Sequence, residues 1–130
     1  MKLWAPELRQ RIAHEKRPSA AALDTEVTEI SNDDTLNFNH ITVHVVAINH
    51  LPVRNSFGFI FEISDARLAI SGDTTYCPAL IRAAKGVDML VHEVLIHREL
   101  PIIKGMRSAE TVTAMKACHT VSDQVGKVAS

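Results

Sequence analysis

Leu68-Ala69-Ile70-Ser71-Gly72-Asp73-Thr74 opens the stretch that decides the fold, and Pro78-Ala79-Leu80-Ile81-Arg82-Ala83-Ala84-Lys85-Gly86-Val87-Asp88-Met89-Leu90-Val91-His92-Glu93 completes it. The apolar run Leu68–Ile70 predicts a strand. Pro78 suits the first turn of a helix and Gly86 its C-terminal cap, so the spacing predicts a helix over Pro78–Lys85. Val87–Val91 then predicts a buried strand. A strand, helix, strand unit of this length allows a right-handed crossover and predicts a parallel pair, hence an α/β protein with a mixed sheet. Asp73 falls just past the first of these strands, where loops carry chemistry in such a sheet.

Upstream of this unit, Phe57–Ile63 predicts another strand, with Ser64-Asp65-Ala66-Arg67 as the link to Leu68. Ile41-Thr42-Val43-His44-Val45-Val46-Ala47 is β-branched and alternating before it becomes fully apolar, the pattern of a strand entering a core. Glu26-Val27-Thr28-Glu29-Ile30 alternates as a half-buried strand does, and Ser31-Asn32-Asp33-Asp34 supplies turn chemistry after it. Glu7–Glu15 predicts a short surface helix behind Pro6, and Lys16–Asp24 a connector. Downstream, Ile96–Met106 is an irregular connector. A helix is predicted over about Ala109–Cys118, and another after Thr120, where Thr120-Val121-Ser122-Asp123 has capping-box form.

Composition confines the chain to one globular domain over residues 1–130, divided into an N-terminal helix and connector (1–25) and the main body (26–130). Of its 130 residues 46% are hydrophobic and 22% charged, which gives a sizeable core and no signature of disorder. The formal net charge of -1 leaves no basic excess to track a phosphate backbone, so a nucleic-acid role rests on a local site. Cys77 and Cys118 lack metal-type spacing and make no disulfide framework. With no apolar leader after Met1 and no window approaching a membrane span, the expected location is the cytoplasm.

Four segments carry the candidate chemistry: Val45–His50, Ser71–Thr74, Val91–Glu93 and His119-Thr120. A histidine and an aspartate that each follow an apolar strand can converge on one edge of a sheet, and imidazole with carboxylate suits Zn²⁺, Mn²⁺ or Fe²⁺. Taken singly, a turn aspartate also hydrogen-bonds backbone, and a strand-end histidine also serves as a polar tip.

The order of the segments is more specific than any one of them. His50 with Pro52 and Phe57-Gly58-Phe59, then Ala69–Tyr76, then Leu80–Glu93, then His119-Thr120-Val121-Ser122-Asp123-Gln124 resembles the metallo-β-lactamase superfamily. Within it the sequence is similar to the branch of ribonuclease Z and the arylsulfatase- and phosphodiesterase-like hydrolases. The resemblance implies half of a four-layer αββα sandwich, a mixed β-sheet with helices packed on one face. It implies that His50 ligates one of two metal ions and that Asp73 bridges both, zinc being the expected metal and manganese or iron the alternatives. It assigns His119 to the scissile phosphate or the leaving oxygen, Glu93 to orienting His119, and His92 to a structural role.

The family's His-x-His-x-Asp-His run is absent from this sequence, as is a further histidine after the final helix. His50 and Asp73 are therefore the retained ligand positions, fewer than the three protein ligands of a catalytic zinc site. The resemblance thus implies a truncated fragment or a naturally shortened relative, not expected to hydrolyse substrate alone. One sheet face lacks its partner, which favours a homodimer or a complementary chain. A small phosphodiester or an RNA 3′ end is the implied substrate; a non-catalytic oligomerising or partner-binding domain is the alternative.

Overall fold

Two-residue reversals at Asn39-His40 and Ser64-Asp65 organise the sheet. Asn39 (φ 52°) and Ser64 (φ 50°) take the left-handed conformation that tight hairpins need. In the computed structural model the residues described are 9–10, 13–14, 27–96, 98 and 100–129. The strands are β1 (Thr35–Phe38), β2 (Ile41–Ala47), β3 (Phe57–Ile63), β4 (Ala66–Ile70) and β5 (Met89–Val91). They form one sheet in the order β1-β2-β3-β4-β5. The first four run antiparallel, and β5 adds parallel to β4 with Ala69 opposite Leu90. The helix α1 (Pro78–Ala83) makes the crossover, and α2 (Ala109–Cys118) and α3 (Ser122–Val128) follow β5. This is the mixed α/β architecture that the sequence implies.

One face of the sheet bears Val46, Ile60, Ala69 and Leu90, against which α1 seats Leu80 and its flanking Cys77, Ala83 and Ala84. Leu80 and Ala69 are fully buried, and Gly58 lets the helix approach: a Cβ there would lie 3.1 Å from Leu80 Cδ1 and 3.0 Å from the Ser71 carbonyl. Leu80→Ala is expected to lower unfolding free energy by about 2 to 5 kcal/mol, because the rigid sheet beneath cannot collapse into the void. A urea midpoint shift measures it. The register places Leu36, Val43, Val45, Phe59, Phe61, Leu68, Ile70 and Val91 together on the opposite face. Val43 and Val45 are buried there, whereas Phe38, Ile63, Met89 and Val91 stay exposed.

Several expectations need correction. Residues 27–30 form no strand, and Val27 is 72% exposed; the edge position beside β2 is taken by Thr35–Phe38, which the alternation upstream had obscured. The Ser31–Asp34 turn does form, with Asp33 at φ 69° and the Asp34 carboxylate accepting Ser31 N–H at 2.7 Å. The strand at Val87–Val91 is short and lies at the sheet edge, so Met89 and Val91 are exposed where a buried strand was expected. Thr120 forms no capping box. Val121 stands at the α3 N-cap without a side-chain bond, since the Thr120 hydroxyl is committed elsewhere. The expected helix over Glu7–Glu15 lies largely outside the described residues; the four described there, Arg9, Gln10, Ala13 and His14, are helical.

The α2 helix starts as its sequence demands. Ser108 at the N-cap accepts Thr111 N–H at 3.2 Å. The Ser108 hydroxyl also bonds the Glu110 carboxylate and, with Glu110's own backbone N–H, holds that carboxyl below the usual range.

Candidate metal centre

Glu93 is the node at which the four segments meet. Its position follows from β5: Glu93 N–H donates to Ser71 Oγ at 3.0 Å, and that hydroxyl donates to the Gly72 carbonyl at 2.7 Å. Gly72 takes φ 63°, and a Cβ there would lie 3.0 Å from the Phe57 carbonyl, so the turn that presents Asp73 requires glycine. With its backbone pinned, Glu93 turns its carboxylate inward. Oε1 accepts Thr74 N–H at 2.9 Å and Thr120 N–H at 3.0 Å. Oε2 accepts from His119 Nδ1 at 3.0 Å, with the two side chains 15% and 22% exposed.

Buried threonines complete the junction. Thr120 Oγ1 donates to the Thr74 carbonyl at 2.7 Å, and both residues are fully buried. Thr74 Oγ1 accepts Asn49 N–H at 3.2 Å, and Thr75 N–H donates to the Asn49 carbonyl at 2.8 Å. These bonds carry the loop before His50 to the loop of Asp73. The chain after β5 is also tied to α3, because Leu95 N–H donates to the Thr120 carbonyl and Ser122 N–H to the Leu95 carbonyl.

The imidazoles are oriented by their acceptors. His50 Nδ1 lies 2.9 Å from the Cys118 carbonyl, an atom that only accepts, so Nδ1 carries the proton and Nε2 keeps a free lone pair. His119 likewise gives Nδ1–H to Glu93 and leaves Nε2 available. The two rings meet edge to face with centroids 5.0 Å apart. His92 gives Nδ1–H to the Glu93 carbonyl at 2.7 Å, and its Nε2 is buried without a partner.

Metal-competent side chains gather around His119. Ligand atoms of His50, Cys118 and His119 lie within 4.8 Å of one another, as do those of Asp73, Glu93 and His119. His50 and Asp73 thus fall in separate groups that share His119. Asp73 is exposed and its carboxylate accepts no hydrogen bond among the described residues, so both oxygens are free for a cation. Glu93 is the reverse: every contact it makes serves orientation. The sequence reading singled out Asp73, Glu93, His50 and His119; it missed the scaffold of Ser71, Thr74 and Thr120. Cys118, which has no metal-type spacing in the sequence, is half-buried and contributes the carbonyl that sets His50. Isolated hydroxyl residues carry no periodic signal, so only their meeting in space identifies them.

Comparison with known proteins identifies the family. The model of the Beta-lactamase superfamily domain matches residues 2–127. Ribonuclease Z of Mycobacterium tuberculosis is 32% identical over 99 residues, covering 73% of this chain and 34% of that protein. Ribonuclease Z of Mycobacterium sp. (strain KMS) is 34% identical over 85 residues, covering 65% of this chain and 30% of the relative. The chain therefore spans about a third of the length of these ribonuclease Z relatives. Among solved structures, a mutant of the CmlA β-hydroxylase aligns over 80% of this chain and 23% of its own, with TM-score 0.55 and 15% identity. A protein of unknown function from Enterococcus faecalis aligns over 62% of this chain and 20% of its own, with TM-score 0.52 and 16% identity. The family model matches residues 2–127, nearly the whole length, and the chain belongs to the metallo-β-lactamase superfamily.

Proposed function

We propose that this chain supplies one edge of a metal-dependent phosphodiester hydrolase of the ribonuclease Z kind, acting in the cytoplasm on an RNA 3′ end or a small phosphodiester. The observation that supports the reading is the Glu93 node, where one carboxylate holds Thr74, Thr120 and His119 around an open Asp73. The donor set suits zinc, with manganese or iron as alternatives. His50 offers an imidazole nitrogen and Asp73 an unengaged carboxylate, while Glu93 is engaged by three N–H donors. A bound metal acts as a Lewis acid and yields a water nucleophile at neutral pH.

The chain's own residues do the rest. Asp73 faces solvent at the mouth of the junction, where its charge offsets that of cations. Glu93 holds His119 with Nδ1–H inward, so His119 Nε2 is the atom that faces the phosphate; it takes up a proton from solvent, the imidazolium being held by Glu93, and passes that proton to the leaving oxygen. A net charge of -1 means that RNA is gripped through this local site and not through a basic surface. Further metal donors lie outside the four segments. The assay is hydrolysis of a bis-aryl phosphodiester and of 3′-extended RNA with Zn²⁺ or Mn²⁺, together with metal content. Near-stoichiometric metal supports the reading; an empty site in active-pH buffer with added metal counts against it.

The apolar sheet face favours a second reading, a partner-binding domain without catalysis. Phe38, Ile63, Met89 and Val91 are 59%, 40%, 61% and 49% exposed on a face that is otherwise aliphatic and aromatic. A surface of that kind is covered in solution, and a symmetric dimer covers it with an identical face. Light scattering is expected to give the dimer mass at micromolar concentration, and Met89→Asp to release monomer. A wild-type monomer at that concentration removes the dimer from both readings.

A further inference from the structure

We infer that His50, Cys118 and His119 form a site for one thiophilic divalent ion, zinc above all, separate from the Asp73 side of the junction. Ligand atoms of the three side chains lie within 4.8 Å of one another. A tetrahedral zinc with bonds of about 2.0 to 2.3 Å holds its ligands roughly 3.3 to 3.8 Å apart, so modest side-chain rotations close the set. Both imidazoles are already in the tautomer that coordination needs, because the Cys118 carbonyl takes Nδ1–H of His50 and Glu93 takes Nδ1–H of His119. Such an outer acceptor is the usual support of a metal-bound histidine. Cys118 is half-buried, and its Sγ rests against the carbonyls of Ala114 (3.3 Å) and Met115 (3.4 Å) in the last turn of α2. The negative end of that helix dipole favours a cation at this position.

Ligand softness separates this site from the proposed hydrolytic one. A thiolate with two imidazoles selects Zn²⁺ over Mn²⁺, whereas the free carboxylate of Asp73 suits oxygen-preferring ions. On binding, the Cys118 thiol releases its proton to solvent and forms the metal–sulfur bond. The site draws on two side chains of the hydrolytic reading and rests on it only for that overlap. An ion held by these three side chains occupies His50 and His119, so it removes His119 from proton transfer and leaves Asp73 untouched. Zinc in this site therefore competes with the hydrolytic use of His50 and His119, whereas Mn²⁺ bound on the Asp73 side does not, and the three ligands are supplied by one chain alone.

Co²⁺ is the probe. Added to the reduced, purified protein, it is expected to give a thiolate-to-cobalt charge-transfer band in the near ultraviolet with visible bands of tetrahedral cobalt. Cys118→Ser removes the charge-transfer band and weakens zinc binding by about 10-fold or more, and His50→Ala weakens it similarly. Cys77→Ser and Asp73→Asn keep the band. Far-UV circular dichroism confirms that each variant is folded. Cobalt bound without the band, a band that survives Cys118→Ser, or no cobalt binding by the folded protein overturns the site. Asp73→Asn separates the two ideas, since it ends hydrolysis without changing the band. A band without hydrolysis in any metal rejects the hydrolytic reading alone, and hydrolysis without a band rejects the thiolate site alone.

Discussion

Glu93→Ala is expected to lower unfolding free energy by about 3 to 5 kcal/mol, the range for removing one partner of a buried charged network. Its carboxylate accepts from Thr74 N–H, Thr120 N–H and His119 Nδ1–H, each within 3.0 Å. Truncation leaves two amides of fully buried residues without acceptors, and each such loss costs about 1 to 3 kcal/mol. It also cuts the tie between the turn after β4 and the start of α3, so both loops loosen. Glu93→Gln is the informative control. The amide oxygen still accepts from Thr74 and Thr120, but the amide nitrogen now faces His119 and reverses its tautomer, putting the proton on Nε2. Stability should stay within roughly 1 kcal/mol of wild type, the worth of one ordinary hydrogen bond, while hydrolysis falls. Urea denaturation measures the first effect and phosphodiester turnover the second. Equal destabilisation by both variants would show that the carboxylate charge, and not its acceptor geometry, holds the junction.

Asp73→Ala is expected to abolish metal-dependent hydrolysis by the assembled protein with little change in stability. Metal ions supply several kcal/mol of transition-state charge stabilisation, and loss of about 4 kcal/mol is roughly a 10³-fold loss of rate. The fold should tolerate the change because Asp73 is exposed and its carboxylate holds no hydrogen bond among the described residues. Unchanged turnover in Asp73→Ala at saturating metal would remove Asp73 from the chemistry. The contrast between the two carboxylates is itself a test: Glu93 is a fold residue that positions His119, and Asp73 carries charge that the fold does not use.

Much of this was legible before any coordinates. β2, β3 and α2 have the bounds their patterns predict, because β-branched alternation and helical spacing report local geometry and the core merely accepts them. The parallel pairing of β5 with β4 followed from the helix between them, since a crossover of that kind returns the chain in the same direction. Less legible were features settled by competition for a partner. Residues 27–30 alternate as well as Thr35–Phe38 does, but the Asn39-His40 reversal lets only the latter reach β2. Thr120 has the form of a helix cap, yet its hydroxyl is taken by the Thr74 carbonyl, 46 residues away in sequence.

The sequence by itself determined the α/β class and the order His50, Asp73, Glu93, His119, because each of these depends on short-range pattern and chain order. Tertiary structure alone decided how those residues share space. It made Glu93 the shared acceptor at the centre, left Asp73 open, and grouped His50 with Cys118 and Asp73 with Glu93, His119 being common to both. It also brought Cys118, the chain neighbour of His119, beside His50, 68 residues away. The physical reason is that hydrogen-bond acceptors are shared across the fold, and which donor reaches a given carboxylate or carbonyl is settled only when the loops are packed together.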